Sequence, residues 1–270
     1  MTEDVAGVGR TRGTGGYLTL FRAIAWKRAM LLVRYPANTL STLAITFSLF
    51  TVIFFGGTAM AEQSMSDSLG GIITGYFLWT MAIVAFSSIA WSVTRESQWG
   101  TLEQLYMSPF GYGRVMILAV VVRLFESFLW GAVTLVFMLV LTGETISLPI
   151  LTVLVLTVLA LAPAVGIGFV FGGLALLYKR IENAFNVLQF VFIGLIAAPS
   201  VAGTWAHLLP LSQGSYLLSR AMQDGVRLWE FSPANLALLV GAAVGYFVIG
   251  YGAFVFASRR ARRNGLMGKY

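Results

Sequence analysis

Long stretches without Asp, Glu, Lys or Arg constrain this chain more than any other feature. Residues 39–61, 68–94, 145–178, 183–206 and 231–258 contain none of the four. A helix needs roughly 20 apolar residues to cross the hydrocarbon core of a bilayer, and each of these runs is long enough. A further run, 115–143, is broken by Arg123 and Glu126 alone. Six crossings follow. The chain is 58% hydrophobic and 11% charged over 270 residues, against about 25% charged in soluble domains, and no stretch is left that could build a water-exposed domain with its own core. The expected fold is an all-α integral membrane protein with a single membrane domain.

The plan that emerges has a polar arm at 1–16, one transmembrane domain at 17–258 and a basic tail at 259–270. Its spans fall at about 39–61, 68–94, 115–143, 148–178, 183–200 and 233–258. The arm has Arg10 and Arg12 but no adjacent apolar core with a small-residue cleavage site, so no signal peptide is expected. Orientation follows from the cations, because basic residues stay on the cytoplasmic side of short loops. With both termini cytoplasmic, fifteen of the 18 Lys and Arg lie inside, and the outer loops hold Arg220 and Arg227, with Arg123 set aside. The net charge of +7 is spread beside the apolar runs, which suits anionic lipid headgroups and gives no footprint for nucleic acid. Cysteine is absent, so neither a disulfide nor a thiolate metal site is available.

Three segments strain the simple plan. The run 145–178 is too long for one straight crossing; Pro149 suits a helix start, and Pro163 with Gly166, Gly168, Gly172 and Gly173 invites a kink or a close helix contact. The outer stretch 199–233 carries Leu208, Leu209, Leu211, Tyr216, Leu217 and Leu218. Short re-entrant helices between spans 5 and 6, packed against protein, would account for them; a loop resting on the headgroups is the alternative. Residues 17–35 read as an in-plane amphipathic elbow helix with Tyr17, Leu20, Phe21 and Ile24 on one face and Arg22, Lys27, Arg28 and Arg34 for lipid phosphates. The amphipathicity is imperfect, since Lys27 and Arg28 interrupt the apolar side; a disordered arm is the competing reading.

The polar segment "RESQWGTLEQLYMSPFGYGR", residues 95–114, separates the second and third spans. Trp99, Leu102, Leu105 and Tyr106 fall at helical spacing, Glu96, Thr101, Glu103 and Gln104 take other faces, and Pro109 with Gly111 and Gly113 ends the element. Spacing alone leaves two readings: a handle gripped by a soluble partner, or a helix lying passively on the inner leaflet.

The segment resembles the loop between the second and third spans of ABC-2 type permeases, in which a Glu precedes a Gly-Thr-Leu-Glu core, then Leu, then Ser-Pro. Those positions are Glu96, Gly100, Thr101, Leu102, Glu103, Leu105, Ser108 and Pro109. The basic in-plane helix, the six spans, "LLYKRIENAFNVLQF" and "LLPLSQGSYLLSRAM" extend the likeness more loosely. The resemblance implies a coupling helix at about 95–108, seated in a groove of a separate ABC-type ATPase. Arg95, Glu96 and Glu103 would make polar contacts there, with Trp99, Leu102 and Leu105 as the packed ridge. Lys179, Arg180 and Glu182 would form a second cytoplasmic contact. The sequence has no Gly-x-x-x-x-Gly-Lys-Ser/Thr loop, and its Gly268–Lys269 pair is followed by Tyr270. No cofactor is therefore expected on this chain; ATP and Mg would sit on the ATPase. By the same resemblance two permeases, identical or related, pair with two ATPases in a plasma membrane, and the first, second and fifth spans of each line the route.

Other constellations carry less. Arg123 and Glu126 are spaced to meet on one helix face, as an intramembrane functional pair or as an ion pair anchoring the helix near the inner interface. No metal set is expected around the single histidine, His207, for which an interfacial hydrogen bond is the default. Ser215 with His207 lacks the context of an intramembrane protease, so no catalytic residue is expected. A channel would need charged rings or a carbonyl filter, and neither has a recognisable counterpart. Spans one and two instead offer Phe54, Tyr76, Trp79 and Phe86 as candidate pathway residues among other aromatics. An apolar path favours export of a drug, lipid or other lipophilic cargo. Lipid-linked polysaccharide is the alternative, distinguishable because a sugar route calls for a continuous wet groove and a lipophile site for a dry, side-opening pocket.

Overall fold

The computed structural model describes residues 16–60, 66–98, 112–178 and 181–263. Among them the chain is all helix, with eight α-helices and two short 3₁₀ turns. A single proline sets the first boundary. Helix α1 (Tyr17–Arg34) stops at Tyr35, with φ −117° and ψ 64°, because a residue before proline is pushed out of the α region. Helix α2 (Pro36–Met60) begins on that proline, where a missing N–H breaks no intrahelical bond. The first crossing helix thus starts three residues ahead of the expected span at 39–61. Helix α3 (Ser66–Gln98) likewise continues past Thr94, so residues 95–98 prolong the second span. Helix α4 (Tyr112–Thr142) closes on Gly143, whose φ of 69° is the left-handed conformation that ends helices most easily at glycine.

Helix α5 (Ile150–Leu177) carries Pro163 inside it, and helix α6 (Glu182–Val201) carries Pro199. A 3₁₀ turn at Thr204–Leu208 leads to the short helix α7 (Ser212–Gln223), and a second at Leu228–Glu230 precedes helix α8 (Pro233–Arg263). Helix α8 extends through Arg263, so the first part of the basic tail is helical. Arginine is a good helix former, and cations suit the negative end of the helix dipole. Six helices, α2, α3, α4, α5, α6 and α8, are long and apolar enough to cross a membrane.

Burial divides them sharply. About 61% of the apolar window of α3 and 56% of that of α5 is covered within the chain, against 6% for α2. The core is therefore α3 and α5, with α8 against α5. Glycines make this possible on two faces of α5. A Cβ at Gly166 would overlap the backbone of Tyr246 and one at Gly250 the backbone of Gly166, while Gly168 faces the backbone of Phe86 and Gly172 the side chains of Ile89 and Val93. Where lipid removes the hydrophobic drive between helices, such close van der Waals contact through small residues is what holds them together. The glycine-rich run after Pro163 thus serves close contact with α3 and α8. An aromatic cluster joins α3, α5 and α6: Phe86 meets Phe171, Phe185 and Phe192 edge-on at 5.7, 6.0 and 5.5 Å.

Candidate functional site: a lateral cleft and an ion cluster

A cleft of about 650 Å³ opens between α2, α3, α6 and α7. Its floor is the N-terminal half of α3, where Gly71 and Gly75 make room: a Cβ at Gly71 would come no nearer than 3.8 Å to Gln223, and one at Gly75 would lie 3.5 Å from Ile196. Tyr76 and Trp79 continue the floor, Ile193, Ile196 and Pro199 form one wall, Ser215, Tyr216 and Ser219 the other, and Ile53 edges it. Such a volume suits a drug-sized ligand.

Most polar groups of this lining are engaged in hydrogen bonds within the chain. Tyr76 Oη donates to the Thr46 carbonyl at 2.5 Å and Trp79 Nε1 to the Gln189 carbonyl at 2.8 Å. Ser200 Oγ donates to Ala197 O at 2.7 Å, Ser215 Oγ to Ile196 O at 2.8 Å, and Ser219 Oγ accepts from Gln223 Nε2. With those hydrogen-bonding groups engaged, what the cleft offers an occupant is mainly rings and aliphatic carbon.

Proline chemistry fastens α7 to α6. Pro199 has no N–H, so the Leu195 carbonyl one turn earlier loses its intrahelical donor. Ser212 Oγ, at the start of α7, donates to that carbonyl at 2.6 Å. In an apolar environment a freed carbonyl needs such a partner. The chain reaches this position through Leu211, a buried non-glycine residue at φ 70° that anchors the turn in the core.

A second cluster lies where α1 crosses α4. Arg123 Nη1 donates to Glu126 Oε2 at 3.0 Å. Arg28 of α1 adds a two-pronged contact to the same carboxylate, Nε to Oε2 at 3.0 Å and Nη2 to Oε1 at 2.8 Å. The interruption of the apolar side of α1 is thereby explained. Leu20, Phe21, Ile24, Ala25, Arg28, Leu31 and Leu32 are its partly covered positions and Lys27 is exposed, so Arg28 sits on the inward face because a carboxylate awaits it. Phe21 meets Phe125 edge-on at 6.4 Å, and Arg114 Nη1 donates to Tyr17 Oη at 3.0 Å, fixing the crossing at two further points.

The residues singled out from the sequence are thus distributed as follows. Tyr76 and Trp79 line the cleft. Phe54 packs beside Phe50 and Phe55 and is not part of the lining. Phe86, 1% exposed, is core and faces no cleft. Arg95 and Glu96 fall on the last turn of α3 and Glu182 on the first residue of α6, with side chains outside the described residues; Trp99, Gly100, Thr101, Leu102, Glu103, Leu105, Lys179 and Arg180 lie outside them altogether. Ser215 donates to Ile196 rather than pairing with His207. The buried Nδ1 of His207 has no hydrogen-bond partner among the described residues, against the expected interfacial hydrogen bond, and the ring lies edge-on to Tyr216 at 4.9 Å. Sequence reasoning missed Arg28 as a partner of Glu126, 98 residues away, and the α7 wall of the cleft. The signal for α7 was present: a proline inside a span, with serines shortly after it that could answer the freed carbonyl.

Fold and site together define an all-helical chain of the multi-pass membrane type, with an apolar cleft among its helices. Compared with family models, curated proteins and solved structures, the chain gives no significant match.

Proposed function

We propose that this chain is the membrane subunit of an ATP-driven exporter of the ABC-2 type. It works as a dimer with two separate ATPase subunits in the plasma membrane, with both termini cytoplasmic. In this reading α1 is the in-plane elbow helix, α7 is a re-entrant helix in the outer leaflet, and the segment between α3 and α4 is the lever through which the ATPase moves both spans. Closure of the ATPases on ATP would shift the bundle between inward and outward access by favouring one set of contacts over the other.

The observation that carries the proposal is the make-up of the cleft. Its membrane-crossing walls are α2, α3 and α6, the first, second and fifth crossings, which are the spans expected to line the route. The dryness of the cleft favours a lipophilic cargo over a lipid-linked sugar, which would need hydrogen-bonding groups facing the path. In support of the lever, α3 and α4 pack against each other and carry its two ends, so a push on the segment reaches both helices.

The test is purification from native membrane with identification of copurifying proteins, followed by transport assays in vesicles. An ATPase is expected to copurify, and transport is expected to stop when its ATP site is disabled. The variant Glu103→Arg should leave the protein in the membrane while lowering ATP-driven transport at least about tenfold, equivalent to the loss of about 1.4 kcal/mol of coupling. Cargo movement by the purified chain alone overturns the proposal.

A further inference from the structure

We infer that the junction of α1 and α4 is a binding site for the phosphate of an anionic phospholipid of the inner leaflet, held by Arg123 and Arg28. It rests on the placement of α4 in a bilayer and not on the exporter reading, so the two stand or fall separately.

Depth comes first. Helix α4 has 31 residues, about 46 Å at 1.5 Å per residue, against a hydrocarbon core of about 30 Å. Its outer end is fixed by the turn at Gly143. Roughly twenty residues counted back from Thr142 reach Arg123, which places the cluster at the inner hydrocarbon boundary, where lipid phosphates lie.

Charge and hydrogen-bond bookkeeping come next. Two guanidinium groups face one carboxylate, so the cluster keeps an excess positive charge. Its side chains are 23% exposed at Arg28, 16% at Arg123 and 8% at Glu126. Arg28 gives Nε and Nη2 to Glu126, but Arg123 gives Nη1 alone. A guanidinium has five N–H donors, so Arg123 retains Nε and Nη2, with no other partner among the described residues. Neither nitrogen is among the fully buried unpartnered atoms, so both can reach an acceptor outside the chain, and a phosphate matches the guanidinium fork.

The surface above the cluster selects the source of that phosphate. Phe125, Leu129, Val133, Val136 and Val140 are exposed on successive turns of α4. An acyl chain descending along this stripe ends at the cluster, an arrangement that free phosphate does not use. The excess charge favours a headgroup with net negative charge over a zwitterionic one.

The test is native mass spectrometry of the purified full chain in mixed micelles of phosphatidylglycerol and phosphatidylcholine. Wild type should retain phosphatidylglycerol with a preference of about fivefold or more, the scale of one interfacial arginine. Arg123→Gln should bring that preference close to parity, since the two-pronged Arg28–Glu126 contact still holds α1. Arg220→Gln, at an exposed position of α7, should leave it intact. If Arg123→Gln does not purify, Arg123→Lys decides, with a preference expected to fall at least about twofold for want of the fork. No preference in wild type, an equal loss in Arg220→Gln, unchanged retention in the Arg123 variant measured, or displacement of the lipid by inorganic phosphate would each overturn the inference.

Discussion

The two sides of this bundle are held in opposite ways. On one side α5 and α8 meet backbone to backbone through Gly166 and Gly250, and α5 meets α3 through Gly168 and Gly172. On the other, α2 is almost uncovered, and α6 and α7 stand off α3 far enough to leave a cleft. Glycine occurs on both sides with different effects. Where the facing backbone comes close, the absent side chain becomes contact; at Gly71 and Gly75, where only the side chains of Gln223 and Ile196 come within 4 Å, it becomes space. The same residue type supplies a close-packed block on one side and an open cleft on the other, according to what faces it.

The contrast can be broken most severely at the tight side. Gly250→Ala forces a methyl group into the backbone of Gly166, which cannot yield without separating the helices. We expect a loss of about 3 kcal/mol or more, visible as poor recovery in detergent or a lowered thermal midpoint. Ser212→Ala acts at the fastening of the open side. It leaves the Leu195 carbonyl without its donor at a site shielded from water, a loss of about 1–3 kcal/mol, read as faster hydrogen exchange in α7 with the α5–α8 pair unchanged. Gly75→Leu sharpens the comparison by filling the cleft while disturbing little else. Transport should fall about tenfold with the melting temperature nearly constant, an effect on function worth about 1.4 kcal/mol; unaltered transport would detach the cleft from the route. The smallest effect belongs to Gly245→Ala, on the same helix as Gly250 but with open space around its added Cβ. Better helix propensity should stabilise it by up to about 1 kcal/mol, and a destabilisation comparable to that of Gly250→Ala would refute the claim that facing backbone, rather than glycine itself, sets the outcome.

Much of the fold was legible because the bilayer imposes a strong one-dimensional rule. Charges are excluded from the hydrocarbon, so residues without them mark the six helices, and Pro36 and Gly143 mark ends through their own backbone limits. The helices run on past Thr94 and Ser258 for a related reason: lack of charge measures what lipid tolerates, whereas a helix continues for as long as its residues favour it. The site was legible in part. Tyr76 and Trp79 were among the aromatics selected, yet nothing local distinguishes them from Phe86, which the packing of Phe171, Phe185 and Phe192 turns into core. Arg28 looked like a flaw in an amphipathic helix until Glu126 was seen opposite it.

By itself the sequence determined that this chain makes six apolar helices, where most of them lie, and that a mixed-charge segment with a coupling-like motif joins the second and third. The tertiary structure alone decided which glycines are contacts and which are space, which aromatics face a cleft, and which arginines share one carboxylate. The physical reason is that exclusion from hydrocarbon is a property of each residue in turn, whereas close contact, open volume and ion pairing are properties of pairs brought together from distant parts of the chain.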